Sequence, residues 1–290
     1  MRIYRSIDEM HAACRNLSSE GKSLGFVPTM GALHEGHLSL LRAARGRSNV
    51  VAVSIFVNPL QFGPQEDYAK YPRNFERDRQ MLEAEGVALL FAPAAEEMYP
   101  KGSTTLVSVE GLSERLCGVS RPGHFRGVAT VVAKLFNIVE PDFAFFGQKD
   151  AAQCALIRRM VRDLNLDVEI IVCPTVRERD GLAISSRNAY LEPQERKSAT
   201  VLYRALARIQ LLADRGERRA SALLAAARDV LAEEPQVRPD YLEIVNAENL
   251  QPVADISQGA LVAVAALIGN TRLIDNIVQH GVGIGTGPTL

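Results

Sequence analysis

Pro28-Thr29-Met30-Gly31-Ala32-Leu33-His34-Glu35-Gly36-His37 follows a short apolar segment, Leu24 to Val27, and precedes an apolar-periodic stretch, Leu38 to Arg45. The order is strand, glycine-bearing turn, helix N-terminus. Such a terminus presents unpaired backbone N–H groups and a partial positive charge, which suits a phosphate. His34 and His37, three residues apart, fall on one face of the first turn. There they can donate hydrogen bonds to negative charge that develops on a phosphate during reaction. The i, i+3 spacing differs from the i, i+4 pair of an H-E-x-x-H zinc site, which also needs a third ligand. Zinc, or incidental surface histidines, are the alternatives at this point.

Working outward, apolar strand candidates alternate with helical patterns. Strands are expected at Gly25–Pro28, Val50–Val57, Val87–Phe91, Phe143–Phe146 and Val168–Val172, and helices after His37, at Phe75–Glu85, Val128–Val139 and Ala151–Leu164. The near-continuous apolar run Val50–Val57 is typical of a strand buried on both faces. The alternation predicts an α/β protein, a Rossmann-like doubly wound parallel sheet whose ligands sit beyond the carboxyl ends of the strands. After Pro174 the texture changes. Two Ala/Leu/Arg/Glu-rich helices, Pro193–Asp214 and Arg219–Glu234, precede strands at Tyr241–Val245, Leu261–Ala266 and Arg272–Ile277, which predicts a smaller α+β domain. The boundary is set near 175, giving domains 1–175 and 176–290.

Composition narrows the function classes. The chain has 290 residues, 47% apolar and 23% charged, a globular balance with room for a sizeable core. Disorder is expected only after Gly281. The formal net charge of −1 creates no field for nucleic acid or an anionic membrane. The apolar runs are too short to span a bilayer, and Met1–Ser6 lacks the apolar core of a signal peptide. Cys14, Cys117, Cys154 and Cys173 show no C-x-x-C spacing, so free thiols in a reducing cytoplasm are expected, without structural zinc.

Four further segments carry chemistry. Asn58-Pro59-Leu60-Gln61-Phe62-Gly63 closes the Val50–Val57 run. Gln61 both donates and accepts, so it suits a neutral or hydroxylated substrate, although alone the segment reads as a polar turn. Phe146-Gly147-Gln148-Lys149-Asp150 follows a strand and opens a helix that contains Gln153. Gly147 lets backbone approach a ligand, Lys149 is a point charge for phosphate, and Asp150 either caps the helix or accepts from a ribose hydroxyl. The P-loop pattern is absent. Gly181-Leu182-Ala183-Ile184-Ser185-Ser186-Arg187-Asn188 gathers two hydroxyls and a guanidinium as a phosphate clamp, with Gly181 a possible hinge, or else is a Ser-rich cap. Arg121-Pro122-Gly123-His124-Phe125-Arg126-Gly127 is a basic loop before a helix that binds an anion or simply turns.

In this order and spacing the motifs resemble the pantoate–β-alanine ligase family, of the H-x-x-H nucleotidyltransferase and class I aminoacyl-tRNA synthetase-like superfamily. The likeness rests on P-T-M-G-A-L-H-E-G-H, S-I-F-V-N-P-x-Q-F, Y-P-R, R-P-x-H-F-x-G-V, F-G-x-K-D, the later Gln153 and D-G-L-A-x-S-S-R-N, from residue 28 to 188. D-Y-L-E and T-R-L-I-D-N extend it more loosely. The resemblance implies that ATP and pantoate form pantoyl adenylate and pyrophosphate, and that the amine of β-alanine then gives pantothenate and AMP. It implies a Mg2+-dependent cytoplasmic homodimer acting on small molecules, with no nucleic acid or membrane partner, and a C-terminal domain that covers the site.

Residue by residue, it implies that Met30, Gly31, Ala32, Leu33, His34, Glu35, Gly36 and His37 line the ATP site, with His37 and His34 donating to transition-state charge. Gly147, Gln148, Lys149 and Asp150 would hold phosphate and ribose, and Val176 would meet adenine by its backbone. Ile184, Ser185, Ser186 and Arg187 would close on the phosphates, with Lys149 and Arg187 catalytic. Gln61 and Gln153 would hold pantoate. Pro28, Thr29, Phe56, Asn58, Arg121 and His124 would lie nearby. Gln148 and Ile184 stand where the family commonly has glutamate and methionine. The metal site is open: the matching aspartate is Asp78, beside Arg77. The competing readings are a nucleotidyltransferase of the same superfamily acting on a phosphate acceptor, and a nucleotide sensor without catalysis. An RNA-aminoacylating enzyme would need a basic appendage this chain lacks.

Overall fold

Leu24–Thr29 is strand β2, an interior strand of its sheet, buried along nearly its whole length. The computed structural model describes residues 1–64 and 66–281; the expectation for the tail beyond Gly281 lies outside them. In chain order the first elements are β1 (Arg2–Tyr4), α1 (Ile7–Ser19), β2, α2 (Glu35–Arg47), β3 (Val50–Ile55), α3 (Phe75–Ala84), β4 (Leu89–Phe91), α4 (Ala95–Met98), α5 (Cys117–Ser120), α6 (His124–Val139), β5 (Phe143–Gly147), α7 (Ala151–Asp163) and β6 (Glu169–Cys173). The chain divides into two compact units. The first comprises Met1–Ser113, Arg121–Gly147 and Leu156–Cys173; the second comprises Glu114–Ser120, Gln148–Ala155 and the chain from Pro174 onward.

The first unit holds a six-stranded, all-parallel sheet in the order β1-β4-β3-β2-β5-β6. The order reverses between β2 and β5, whose register pairs Gly25 with Phe143 and Phe26 with Ala144. That is the switch point at which doubly wound sheets take ligands. Helices α2 and α3 bring Leu40, Leu41, Ala44 and Leu82 onto Val27, Val51, Val53 and Leu90. Burying each of these leucine and valine side chains contributes about 1.5–3 kcal/mol. Four elements lie outside the expected set: β1, α1 and the four-residue helices α4 and α5. β1 is only three residues long, too short for a period. Helix α1 is signalled by Ser6, whose side chain accepts from the Glu9 N–H, and by Asp8 and Glu9 in its first turn. Helices α2 and α6 also begin earlier than expected, at Glu35 and His124.

The second unit builds on α8 (Pro193–Ser198), α9 (Val201–Asp214), α10 (Ala220–Leu231), β7 (Val237–Val245), β8 (Ala260–Ile268) and β9 (Thr271–Gln279). The three strands form an antiparallel sheet, β7-β8-β9. Leu202, Ala205, Leu206 and Ile209 of α9 and Leu223 and Ala227 of α10 share a core with Val262, Val264 and Ala266 of β8. The single helix expected over Pro193–Asp214 is two, because Thr200 turns its hydroxyl and its N–H back to the Lys197 carbonyl and tightens that turn. β7 starts at Val237 rather than Tyr241. Pro239 is tolerated because β7 is an edge strand with a register shift between Pro239 and Tyr241. The four cysteines are free and buried, and no described helix is long and apolar enough to cross a membrane.

Candidate active site

The carboxyl end of β2 opens into the turn Met30–Leu33. Gly31 has φ +77°, and a Cβ there would stand 3.0 Å from Asp78 Oδ2 and 3.1 Å from the Ile55 side chain, so any other residue is both strained and crowded. Ala32 is also left-handed, at φ +51°, a conformation that costs on the order of 1–3 kcal/mol and needs support. Asp78, buried on α3, supplies it. Its Oδ2 accepts from the Ala32 N–H at 2.8 Å and its Oδ1 from the Leu33 N–H at 2.9 Å. Each carboxylate oxygen therefore supports the turn through one of its lone pairs. The neighbouring Glu76 accepts from Arg79 Nε at 3.0 Å.

His34 caps α2 and His37 is its third helical residue; their rings lie 4.1 Å apart. His37 Nδ1 accepts from the His34 backbone N–H at 3.3 Å. Glu35 turns to the surface and pairs with Arg42, so what it can offer a ligand is backbone, not carboxylate. Beside the turn, Met30, Gly31, Ile55, Phe56, Asn74 and Asp78 line a cavity of about 230 Å³.

Gln61 ends a short 3₁₀ turn after β3 and is buried. Its Oε1 accepts from Asn58 Nδ2 at 3.1 Å, and its Nε2 lies 2.9 Å from the sulfur of Met30. Asn58 is itself held by Tyr99 Oη at 2.9 Å and by donation to the Gly127 carbonyl at 3.0 Å. Gly127 must be glycine: a Cβ would lie 2.2 Å from the Leu60 carbonyl oxygen and 2.6 Å from the Gln61 nitrogen. Arg121 donates to both oxygens of Glu66, at 2.8 and 2.6 Å, and to His124 Nε2 at 3.0 Å. Because a guanidinium only donates, His124 Nε2 is the acceptor, and its Nδ1–H donates to the Gln61 carbonyl at 2.8 Å. Arg121 and His124 thus brace Gln61. Burial pushes the Glu66 carboxyl upward, but Arg121 outweighs it and holds the group below the usual carboxylate range.

The remaining predicted residues belong to the second unit, Gly147 excepted. Gly147 ends β5; Gln148–Asp150 form a 3₁₀ turn directly after it, and Gln153 lies in the first turn of α7. Val176 and Ile184 face each other across a hairpin, the Ile184 N–H donating to the Val176 carbonyl at 3.0 Å. Ser185 caps the 3₁₀ turn Ser186–Tyr190 through its side chain, which accepts from the Arg187 N–H at 3.3 Å. The capping reading and the clamp reading of this loop are compatible. Burial pushes the Cys14 thiol up to about 12 and raises that of Cys173, so neither is a nucleophile at neutral pH.

A parallel sheet that reverses its strand order beside a glycine turn and an H-x-x-H helix start defines a doubly wound α/β protein with the H-x-x-H motif at the carboxyl end of the sheet. The particular family follows from comparison with known proteins. A family model described as pantoate-beta-alanine ligase matches residues 2–278. The pantothenate synthetase of Koribacter versatilis is 61% identical over 99% of both chains. A crystal structure of pantothenate synthetase from Thermus thermophilus superposes with TM-score 0.91 at 51% identity, over 96% of this chain and 99% of that one. The Francisella tularensis pantoate-beta-alanine ligase, solved with beta-gamma ATP and beta-alanine, matches at TM-score 0.79 and 34% identity over the whole of both chains. The chain belongs to the pantoate–β-alanine ligase family.

Proposed function

We propose that this chain condenses pantoate with β-alanine at the expense of ATP, through pantoyl adenylate, releasing pyrophosphate and AMP. The observation that carries the reading is 61% identity to a pantothenate synthetase along 99% of the chain, joined to a relative whose solved complex contains beta-gamma ATP and beta-alanine. A carboxylate is a poor acyl donor because oxide is a poor leaving group, and adenylation supplies a better one. A pantoate carboxylate oxygen attacks the α-phosphorus in line, and the bond to pyrophosphate breaks. The β-alanine nitrogen then attacks the acyl carbon, AMP leaves with the bonding pair, and the amine loses its proton.

In this reading the N–H groups at the start of α2, with His34 and His37, donate to oxygens that gain charge at the α-phosphorus. Lys149 and Arg187 neutralise phosphate charge, Ser185 and Ser186 donate to it, and Asp150 accepts from ribose. Gly147 and Val176 offer backbone to the nucleotide. Gln61 and Gln153 hold pantoate. Holding the reactants in line contributes up to roughly 7–11 kcal/mol in favourable cases. The Ser185–Arg187 segment shields the water-sensitive adenylate as a lid.

Mg2+, if bound with the triphosphate, would supply neutralisation of phosphate charge, and such an ion typically needs only one or two carboxylates besides phosphates and water. Among the described residues there is no group of three acidic, histidine or cysteine side chains set to hold a metal. Asp78 already accepts from Ala32 and Leu33, and whether its remaining lone pairs also meet the ion is tested by the Asp78 variant below. A cytoplasmic homodimer, each chain built of domains 1–175 and 176–290, completes the proposal.

The test is ATP–pyrophosphate exchange with and without pantoate, followed by AMP release on adding β-alanine. Exchange that requires pantoate and AMP release that requires β-alanine are expected. Exchange indifferent to pantoate would overturn the reading.

A further inference from the structure

T-R-L-I-D-N, residues 271–276, has no role in the proposed reaction, yet it contains three of the few buried polar side chains of the second unit, Thr271, Asp275 and Asn276. Asp275 and Asn276 are each 3% exposed and adjacent on β9, so their side chains leave opposite faces of the strand. Asn276 Nδ2 donates to two consecutive carbonyls, those of Gln148 and Lys149, both at 2.9 Å. Gln148 Nε2 lies 3.4 Å from Asn276 Oδ1 in return. Both N–H bonds of one amide are thus spent on the backbone of the F-G-Q-K-D turn.

Asp275 does the equivalent on the other side. Arg177 donates to its Oδ2 at 2.6 Å and its Oδ1 at 2.9 Å, a bidentate pair, and the Asn276 N–H adds a third bond at 2.8 Å. The same guanidinium donates to the carbonyls of Gly181 at 3.0 Å and Asn276 at 3.3 Å, and lies 4.7 Å over the Tyr203 ring. Arg177 pairs across the hairpin with Ala183, two residues before Ser185. A buried network of this kind is stable only when every member is satisfied, and then it is rigid.

We propose that Asp275 and Asn276 are positioning residues for the nucleotide. Asn276 fixes the backbone that presents Lys149 and Asp150, and Asp275, through Arg177, fixes the hairpin that leads into Ser185, Ser186 and Arg187. One strand thereby sets two nucleotide-holding segments in a common register. The proposal rests on the ATP-dependent reading above and concerns ATP, not β-alanine.

Asn276→Leu and Asn276→Asp keep the approximate shape and remove the donor; Asp275→Asn loosens the Arg177 pair. Each is expected to raise the KM for ATP in pantoate-dependent exchange by about tenfold or more, with the KM for β-alanine held within about twofold. The double variant Asp275→Asn/Asn276→Leu should lose less than the product of the single losses, because both act on one network. Equal movement of both KM values, or simple multiplication of effects, would overturn the proposal. A measurement on the wild-type protein does not depend on the variants folding: ATP should slow hydrogen exchange in 272–278 together with 146–151 and 176–188. Protection of the latter two without the first would refute the coupling. Failure of wild-type pantoate-dependent exchange would instead strike the functional reading, and ATP-induced protection of 272–278 would still decide this one.

Discussion

The Nδ1 atom of His37 accepts a hydrogen bond from the backbone N–H of His34 at 3.3 Å. An amide N–H only donates, so the neutral imidazole of His37 carries its proton on Nε2 and is a donor there. The role proposed for His37, a hydrogen bond to an oxygen gaining charge, then needs no change of tautomer. His37→Ala should slow adenylate formation by about 10²–10³-fold, or roughly 2.7–4 kcal/mol, as for the loss of other oxyanion donors. Rapid-quench single turnover of ATP with pantoate measures this directly, and an unchanged rate would remove His37 from that role.

Asp78 separates two explanations for one carboxylate. As the acceptor for Ala32 and Leu33 it holds a strained turn; as a metal ligand it would answer to Mg2+. Asp78→Asn places an NH2 against one of the two backbone donors. The cost of an unsatisfied buried donor is about 1–3 kcal/mol, so denaturant unfolding should show a loss of that size and ATP should bind more weakly. The Mg2+ concentration giving half-maximal exchange at saturating ATP should stay where it is. A large shift in that midpoint with unchanged stability would make Asp78 a metal ligand instead.

Gly127 gives a steric test of the Gln61 subsite. A methyl group there overlaps the Leu60 carbonyl and the Gln61 nitrogen, so Gly127→Ala must displace the 3₁₀ turn that carries Gln61 and disturb the bond from Asn58 to the Gly127 carbonyl. Overpacking of this kind typically costs about 1–3 kcal/mol. Pantoate KM should rise several-fold more than ATP KM. Equal effects on both substrates would mean that Gln61 does not hold pantoate.

The sheet was legible because buried parallel strands write themselves as apolar runs and the motifs fall at their carboxyl ends. Local signals failed where another force decided. Thr200 breaks an apparently continuous helix by bonding backward to Lys197, and Pro239 sits in a strand because that strand is an edge. In the candidate site, the segments proposed to meet ligands, H-x-x-H, F-G-x-K-D and S-S-R, were readable as motifs. The residues that hold those segments were not. Asp78 lies 46 positions from Ala32 and Asn276 lies 127 from Lys149. No window of sequence links such partners, and a buried aspartate holding backbone N–H groups looks the same in sequence as one awaiting a metal.

The Arg121–Glu66 pair ties the subsite to pH. Although burial alone would raise it, the Glu66 carboxyl is held below the usual range by Arg121. A group whose pKa is lower in the folded state stabilises that state above its unfolded pKa, about 4.3 for glutamate, and loses the contribution as pH falls through the folded value. The stability difference between wild type and Glu66→Gln should therefore be constant from about pH 6 to 8 and shrink below about pH 4. The pair is partly exposed, so its size should be modest. Arg121 also reaches His124, which braces the Gln61 carbonyl, so Glu66→Gln should weaken pantoate binding at neutral pH while leaving ATP binding nearly unchanged. Urea unfolding across a pH series, with pantoate titrations at neutral pH, tests both halves. A difference in stability that does not change with pH would show that Glu66 is not ionised against Arg121 in the folded protein.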